Sequence, residues 1–372
     1  MKLVIERQAL LKAIGHVQSV VEKRGTIPIL ANVKIDASGD SLYLTATDME
    51  IAIVEKAAAM IAEPGKITVA AQTFYDIVRK LPEGSQVELA YAEDGKKMTI
   101  KAGNSRFSLA TLPVEDFPVM TEGEMTHNFT IAASECNALI DKTRFAVSNE
   151  ETRYYLNGIY LHAAEENGIG VLRTVATDGH RLARVEVALP AGAAGMGGVI
   201  IPRKTINEIK RLSEDGATNV DISLSENKIR FSFGNAVLIS KLIDAAYPDY
   251  NRVIPSGNDK IMEVENKLLL KAVDRVSVIA SEKTRGIKLL IEHGKLTLSA
   301  DSQENGAATE ELDVNYAADT IDIGFNSRYL LEMLAQIEGD IVQFVFADGN
   351  APALVRDTAD VGSVYVIMPM RV

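Results

Sequence analysis

The sequence predicts an α+β protein made of one unit written three times, each a strand-rich sheet backed by two helices. Three observations carry that expectation. A segment of helical periodicity opens each unit, strand-like segments and a second helical segment follow in fixed order, and each unit closes in an alternating β-meander. The units fall near residues 1–120, 128–250 and 256–372.

The opening helices are IERQALLKAI (5–14), IAASECNALI (131–140) and VENKLLLKAV (264–273). Leu10, Cys136 and Leu269 share one apolar position, and Ile14, Ile140 and Val273 the one a turn later. The strand segments ILANVKI (29–35), YLNGIYL (155–161) and RGIKLLI (285–291) come next, then LTATD (44–48), TVATD (174–178) and TLSAD (297–301). Second helices begin near QTFYDIVRKL (72–81), KTINEIKRL (204–212) and SRYLLEML (327–334). In these Phe74, Ile206 and Leu330 correspond, with Ile77, Ile209 and Met333 one turn on. The first meander is QVELAYA, KKMTIKA and RFSLATL, joined by the turn formers EDG and GNS. NVDISLS, KIRFSFG and AVLISKL repeat the plan, as do IVQFVFA, APALVRD and SVYVIMP. The first two units also close alike, in LPVEDFP (112–118) and LIDAAYP (242–248), where proline after an extended aromatic suits chain leaving a strand.

Composition bounds the function. With 51 acids against 39 bases the 372-residue chain carries −12, so a polyanion is attracted only where the bases are gathered. Six helix windows (7–24, 72–80, 134–144, 203–211, 267–275 and 327–337) hold 16 bases and 7 acids, leaving −21 for the rest of the chain. A basic helical surface on an acidic body points to a phosphate backbone, and without a base-reading motif the contacts are sequence-independent. That partition disfavours a scaffold that never touches nucleic acid. The single cysteine, Cys136, sits at an apolar helical position and reads as a packed thiol in a reducing cytoplasm. The start MKLVIERQALLK lacks a signal peptide's apolar block, and no run nears the ~18–20 apolar residues of a membrane span, so the expectation is a soluble cytoplasmic protein.

One stretch invites chemistry: TDGHRL (177–182) places Asp178 two residues before His180. It could be an acid–base pair of a hydrolase, a metal half-site or a shaped turn. No nucleophile, phosphate-loop, dinucleotide or zinc motif accompanies it, and His16, His127, His162 and His293 form no ligand spacing. No cofactor or metal is expected. The first unit also writes ATD (46–48), followed by Met49 and Glu50, so the shared aspartate is expected to hold a turn through backbone N–H groups.

The residues resemble the bacterial sliding clamp family, the beta subunit of the DNA polymerase III holoenzyme. The resemblance runs through IPIL (27–30), TATDMEI (45–51), SRFSLATLP (105–113), DFP (116–118), RYYLNGI (153–159) and TVATDGHRLA (174–183). It continues through IIPRK (200–204), YPDYNRVIP (247–255), EKTRGI (282–287), IGFNSRYLLEML (323–334) and YVIMPMRV (365–372). It implies a non-enzymatic processivity factor: a head-to-tail homodimer, sheets outside and helices inside, forming a ring around double-stranded DNA. It also implies a hydrophobic surface pocket that tethers the replicative polymerase, the clamp loader and other proteins bearing a clamp-binding motif.

Carried over residue by residue, that pocket comprises Leu156, Thr177, Gly179, His180, Arg181, Leu182, Pro248, Arg252 and Val253. Asn326, Tyr329, Val366, Ile367, Met368, Pro369, Met370 and Arg371 complete it. Methionines re-pack around differing anchors, and His180 and Arg181 would supply a polar rim. For DNA the resemblance implies Arg24, Tyr154, Tyr155, Arg203 and Lys204, whereas Gln72 stands where some members are expected to carry a base. For the dimer it implies Arg106, Phe107 and Leu109 meeting Val278 and Ile279. Retention on DNA would then be topological. Direct affinity for a short duplex should be weak at about 150 mM salt, where the Debye length is ~8 Å, and should fall steeply with more salt. Titration of a short linear duplex checks this, and tight, salt-insensitive binding would contradict it.

Overall fold

The computed structural model describes the chain except for residues 22–25, 93–95, 122, 215 and 282–283. Its repeating element is half the size of the unit read above: strand, helix and three strands, six times over. The first copy is β1 (Lys2–Glu6), α1 (Arg7–Gln18), β2 (Asn32–Ser38), β3 (Ser41–Thr47) and β4 (Ile51–Ala58), with a short β5 (Met60–Glu63) after it. The second is β6 (Gly65–Ala70), α2 (Ala71–Lys80), β7 (Gln86–Ala92), β8 (Lys97–Ala102) and β9 (Ser105–Leu112). The third is β10 (His127–Ala132), α3 (Ala133–Arg144), β11 (Gly158–Glu166), β12 (Ile169–Thr177) and β13 (Arg181–Ala188). The fourth is β14 (Val199–Pro202), α4 (Arg203–Ser213), β15 (Asn219–Leu224), β16 (Lys228–Phe233) and β17 (Ala236–Lys241). The fifth is β18 (Lys260–Glu265), α5 (Asn266–Ser277), β19 (Gly286–Glu292), β20 (Lys295–Ser302) and β21 (Gly306–Asp313). The sixth is β22 (Ile321–Asn326), α6 (Ser327–Leu334), β23 (Ile341–Phe346), β24 (Ala353–Asp357) and β25 (Asp360–Ile367).

The helical positions matched across the repeats are the buried ones: Leu10, Cys136 and Leu269, then Ile14, Ile140 and Val273. Ile5, Ile131 and Val264, however, belong to strands that precede the helices. Each alternates with outward residues in a paired strand, and the last two strand residues before a helix are easily absorbed into its 3.6-residue period. In α2 the inward position after Phe74 is Val78 rather than the half-buried Ile77, because the buried stripe steps by four there. α2 ends at Leu81, held extended before Pro82, as the steric clash with a following proline requires. Cys136 is packed, and burial pushes its thiol up to about 12, with Asp141 adding to the shift, so it is inert at neutral pH. Among the described residues, no helix is long and apolar enough to cross a membrane.

The chain packs into two compact units. The first joins Met1–Ser134 to Asn207–Leu242 and holds thirteen strands in the order β10-β15-β16-β17-β4-β3-β2-β6-β9-β8-β7-β1-β5. Its seam is the antiparallel pair β17–β4, running from Ala236 opposite Glu55 to Ser240 opposite Ile51. There Arg211 of α4 donates to the carbonyls of Gly15 and His16 at the end of α1 and to Ser19 Oγ, with Glu208 as its ion-pair partner. The second unit joins Glu135–Ile206 to Ile243–Val372. It holds one sheet ordered β14-β11-β12-β13-β25-β24-β23-β18 and another ordered β21-β20-β19-β22. Its seam is β13–β25, from Arg181 opposite Ile367 to Val185 opposite Ser363.

Several helix bases are therefore structural. Arg211 is spent as described, and buried Lys142 pairs with Asp360 at 2.8 Å and Glu338 at 3.3 Å. The basic excess of the helices overstates the charge available to a phosphate backbone.

Candidate functional site

The TDGHRL stretch is the turn from β12 to β13 and leads onto a groove, a buried apolar cluster bordered by exposed residues on one face of the eight-stranded sheet. Thr177 Oγ1 donates to the carbonyl of Arg181 at 2.7 Å and accepts the N–H of Gly179 at 3.1 Å. Asp178 Oδ1 accepts the backbone N–H groups of His180 (2.9 Å) and Arg181 (3.0 Å). The first repeat builds the same turn: Asp48 Oδ1 accepts from Glu50 at 2.9 Å and from Ile51 at 2.7 Å, while Thr47 Oγ1 donates to the carbonyl of Ile51. The residue after the aspartate sits at positive φ in both, Gly179 at +87° and Met49 at +74°. Glycine adopts that conformation freely and methionine pays for it. At 179 a side chain would also meet Arg153, whose Nη1 lies 2.7 Å from the position of a Cβ. The third repeat departs from the pattern. β20 runs on through Asp301 to Ser302, and Ser302 Oγ faces the N–H groups of Glu304 and Asn305 at 3.4 Å instead.

This geometry decides among the readings of the stretch. The Asp178 carboxylate is occupied by two backbone amides and by Arg181 Nε at 3.2 Å, so it does not orient the His180 ring. That ring is exposed and stacks on Tyr329, with centroids 6.0 Å apart and planes at 23°. The turn is a shaped surface.

Arg181 differs from its expected place on the rim. It is 8% exposed, its guanidinium lying 4.4 Å from the Tyr329 ring centroid and 5.1 Å from that of Phe145. It donates to the carbonyl of Phe145 at 2.5 Å and pairs with Glu332 of α6 at 2.5 Å. Burial works against the charge of Glu332, yet Arg328 and Arg181 together hold its carboxyl below the usual range. Arg181 thus bolts β13 to α6.

The groove floor is a lateral row across four strands, Leu182, Val366, Leu354 and Val345, with Val175 and Val364 in the next row. Tyr250, Tyr247 and Ile254 pack over it from the segment after β17. Tyr247 lies flat on Tyr160, 4.7 Å away with planes 1° apart. The Tyr250 hydroxyl is bonded to His162 Nε2 at 3.0 Å and accepts from Arg173 at 3.2 Å. Two residues expected to line an open pocket, Leu182 (1% exposed) and Val366 (1%), are its sealed floor. Leu156 and Ile367 are also buried, and Thr177 is spent on the turn.

What remains open is the rim: Val253 (43% exposed), Met368 (37%), Pro248, Arg252, Gly179 and His180. The carboxy-terminal tail is fastened there, Met368 N–H to the His180 carbonyl at 2.9 Å and Met370 N–H to that of Gly324 at 2.8 Å. Pro369 and Met370 are half-buried, and Arg371 is exposed. Asn326 caps α6, its Oδ1 accepting from Arg328 at 3.0 Å and Tyr329 at 3.4 Å, so it shapes the site through Tyr329. Sequence reasoning missed Arg153, Tyr160, Tyr247 and Tyr250. The aromatic density of YPDY (247–250) was the available signal for the last two.

The other assigned residues are placed as follows. Tyr154 is exposed and Tyr155 half-buried on a 3-10 turn (Glu151–Leu156), packed edge to face at 6.0 Å. Arg203 and Lys204 are exposed in the first turn of α4. Gln72 donates to Asp76 within α2 at 3.1 Å, and Arg24 lies outside the described residues. Phe107 and Arg106 are exposed and Leu109 half-buried on β9, while Val278 is 75% exposed and Ile279 half-buried just beyond α5.

Comparison with known proteins gives a consistent result along the whole chain. Residues 1–121, 130–249 and 251–371 match the N-terminal, central and C-terminal domain families of the DNA polymerase III beta subunit. The beta sliding clamp of Caulobacter vibrioides is 52% identical over 372 residues, all of both chains. That of Escherichia coli K12 is 37% identical over 373 residues, again all of both chains. A solved Caulobacter crescentus beta sliding clamp with polyethylene glycol bound superposes with a TM-score of 0.98 at 52% identity, covering 100% of this chain and 99% of that one. The sliding clamp of Bartonella birtlesii bound to griselimycin gives 0.97 at 46% identity, with both chains fully covered.

The fold and the likeness along the whole chain together define a protein of the sliding-clamp class. The chain belongs to the DNA polymerase III beta subunit family, and so is a non-catalytic processivity factor of DNA replication rather than an enzyme.

The buried floor yields a test. Leu182→Asp would place a carboxylate where no partner or water reaches it, and the cost should be about 3 kcal/mol or more. Thermal and urea melts should show a large loss of stability, whereas Val253→Asp on the rim should melt close to wild type.

Proposed function

We propose that two copies of this chain close head to tail into a ring around duplex DNA in the cytoplasm, and that the groove holds a short linear peptide. That peptide would come from the replicative polymerase, the clamp loader or another clamp-binding protein. The three repeats near 1–120, 128–250 and 256–372 would then give six domains per ring.

One observation carries the ring: a pairing rule with one place left to fill. The last strand of a repeat pairs with the last strand of the first half of the preceding repeat, β17 with β4 and β25 with β13. By that rule β9 needs a partner equivalent to β4 and β13, and that strand is β21, the free edge of its sheet. β9 bonds β8 along its length but meets β6 only at Leu112 and Thr111, and both β9 and β21 are exposed for most of their residues. An unpaired exposed edge seeks a strand. The charges agree, with Arg106 on β9 facing a strand that carries Glu311 and Asp313. A second copy would supply each missing partner, a heterologous contact that closes after two.

For the groove, the support is an apolar floor with an open rim that includes a polarisable methionine, suited to varied apolar anchors. Griselimycin on the Bartonella relative supports the presence of a ligand site. For DNA, the support is the basic excess of the helices, Arg203 and Lys204 included.

Replacing both Val278 and Ile279 with glutamate should give soluble monomers by sedimentation, and an unchanged dimer would sink this interface. Met368→Asp and Val253→Asp should each weaken a Gln-Leu-aromatic peptide by about 2 kcal/mol, the range of interface hot spots. His180→Ala should cost less. Calorimetric titration of the three folded variants checks this, and wild-type affinity in both aspartate variants would overturn the groove.

A further inference from the structure

Two residues along the strands from the groove floor, the same sheet face turns from apolar to cationic. There Arg184, Val364, Arg356 and Gln343 stand side by side across β13, β25, β24 and β23. A cavity of about 540 Å³ opens over them, a volume in the range of ligand clefts. We infer that this cavity is an anion subsite continuous with the groove, taking the carboxylate of an acidic residue that flanks the apolar anchor of a bound peptide. The inference rests on the groove reading above and extends it.

The acids of the cavity wall are already engaged. Glu166 and Glu186 lie 2.5 and 2.7 Å from Arg173. Asp357 accepts the N–H groups of Glu338, Gly339 and Ala359, and Asp360 pairs with Lys142 and accepts from Ser363. The two arginines are less fully engaged. Arg184 Nε is buried without a hydrogen-bond partner, while its Nη1 forms a long ion pair with Glu166 at 3.7 Å. Arg356 is exposed and forms no ion pair among the described residues. An unsatisfied buried guanidinium N–H costs stability, and a planar fork is the natural partner of a carboxylate.

The geometry also sets the register. Val364 belongs to both the groove's apolar cluster and the cavity wall. Two residues of strand span about 6.6 Å, the reach of two residues of an extended ligand. The acidic residue should therefore lie about two positions from the anchor. Val361, 95% exposed on the rim, would pack against the ligand's stem.

The test is fluorescence-anisotropy titration of the full chain with peptides sharing one Gln-Leu-aromatic core. One carries glutamate two and three positions before the core, one carries it after, and one carries glutamine at both flanks. An acidic peptide should bind about three- to fivefold more tightly than the neutral one. That advantage should shrink with salt, and should vanish in Arg356→Gln and in Arg184→Lys, which keeps the charge but loses the fork. Equal binding of acidic and neutral peptides, with the core still bound, would overturn the subsite and leave the groove standing. An advantage that survives in both folded variants would place the carboxylate elsewhere and overturn it too. Failure of every peptide to bind would overturn both readings.

Discussion

Strand pairing across repeats is the constraint on which the rest depends. Each half-repeat ends in a strand with one edge unfilled, and backbone donors and acceptors left on such an edge must find partners. β4 takes β17 and β13 takes β25, so two sheets run through the junctions between repeats. The compact units consequently divide the middle repeat, β10 and β15–β17 going with the first and β11–β14 with the third. The groove follows from the same pairing. Leu182 comes to lie beside Val366 only because β13 and β25 are neighbours in antiparallel register.

Around that seam, polar groups fix what the apolar floor cannot. The Arg181 guanidinium would be costly to bury alone. It is held by Asp178, the Phe145 carbonyl and Glu332, and lies against the Tyr329 and Phe145 rings. Those contacts join the turn, α6 and the segment after α3 at one point. The rim residues His180 and Tyr329 inherit their places from it, and the tail inherits its own through the bond from Met368 to the His180 carbonyl. A surface made of loop and tail is thereby tied to the strands beneath it.

The same logic explains why a motif with the look of catalysis has none. Aspartate, glycine and histidine in close sequence satisfy a search for acid–base pairs. In the fold, the aspartate's lone pairs are taken by the backbone it shapes. The first repeat makes the point independently, since Asp48 does identical work with no histidine beside it.

Much of this was legible in the sequence, because it depends on local periodicity and turn chemistry. The α+β class, the threefold repeat, the buried stripes of the helices, the packed Cys136 and the turn-holding role of Asp178 all rest on residues within a few positions of one another. The strands before the opening helices were missed because their last two residues merge into the following helical period. The interior position of Leu182 and Val366, the burial of Arg181 and the capping role of Asn326 were not legible. Each depends on which distant strand or helix lies alongside, and a residue's exposure is a property of its neighbours in space. The order of residues set the repeating unit and its turns; the choice of partners for the free edges, made only in the tertiary structure, decided which apolar residues became floor and which remained rim.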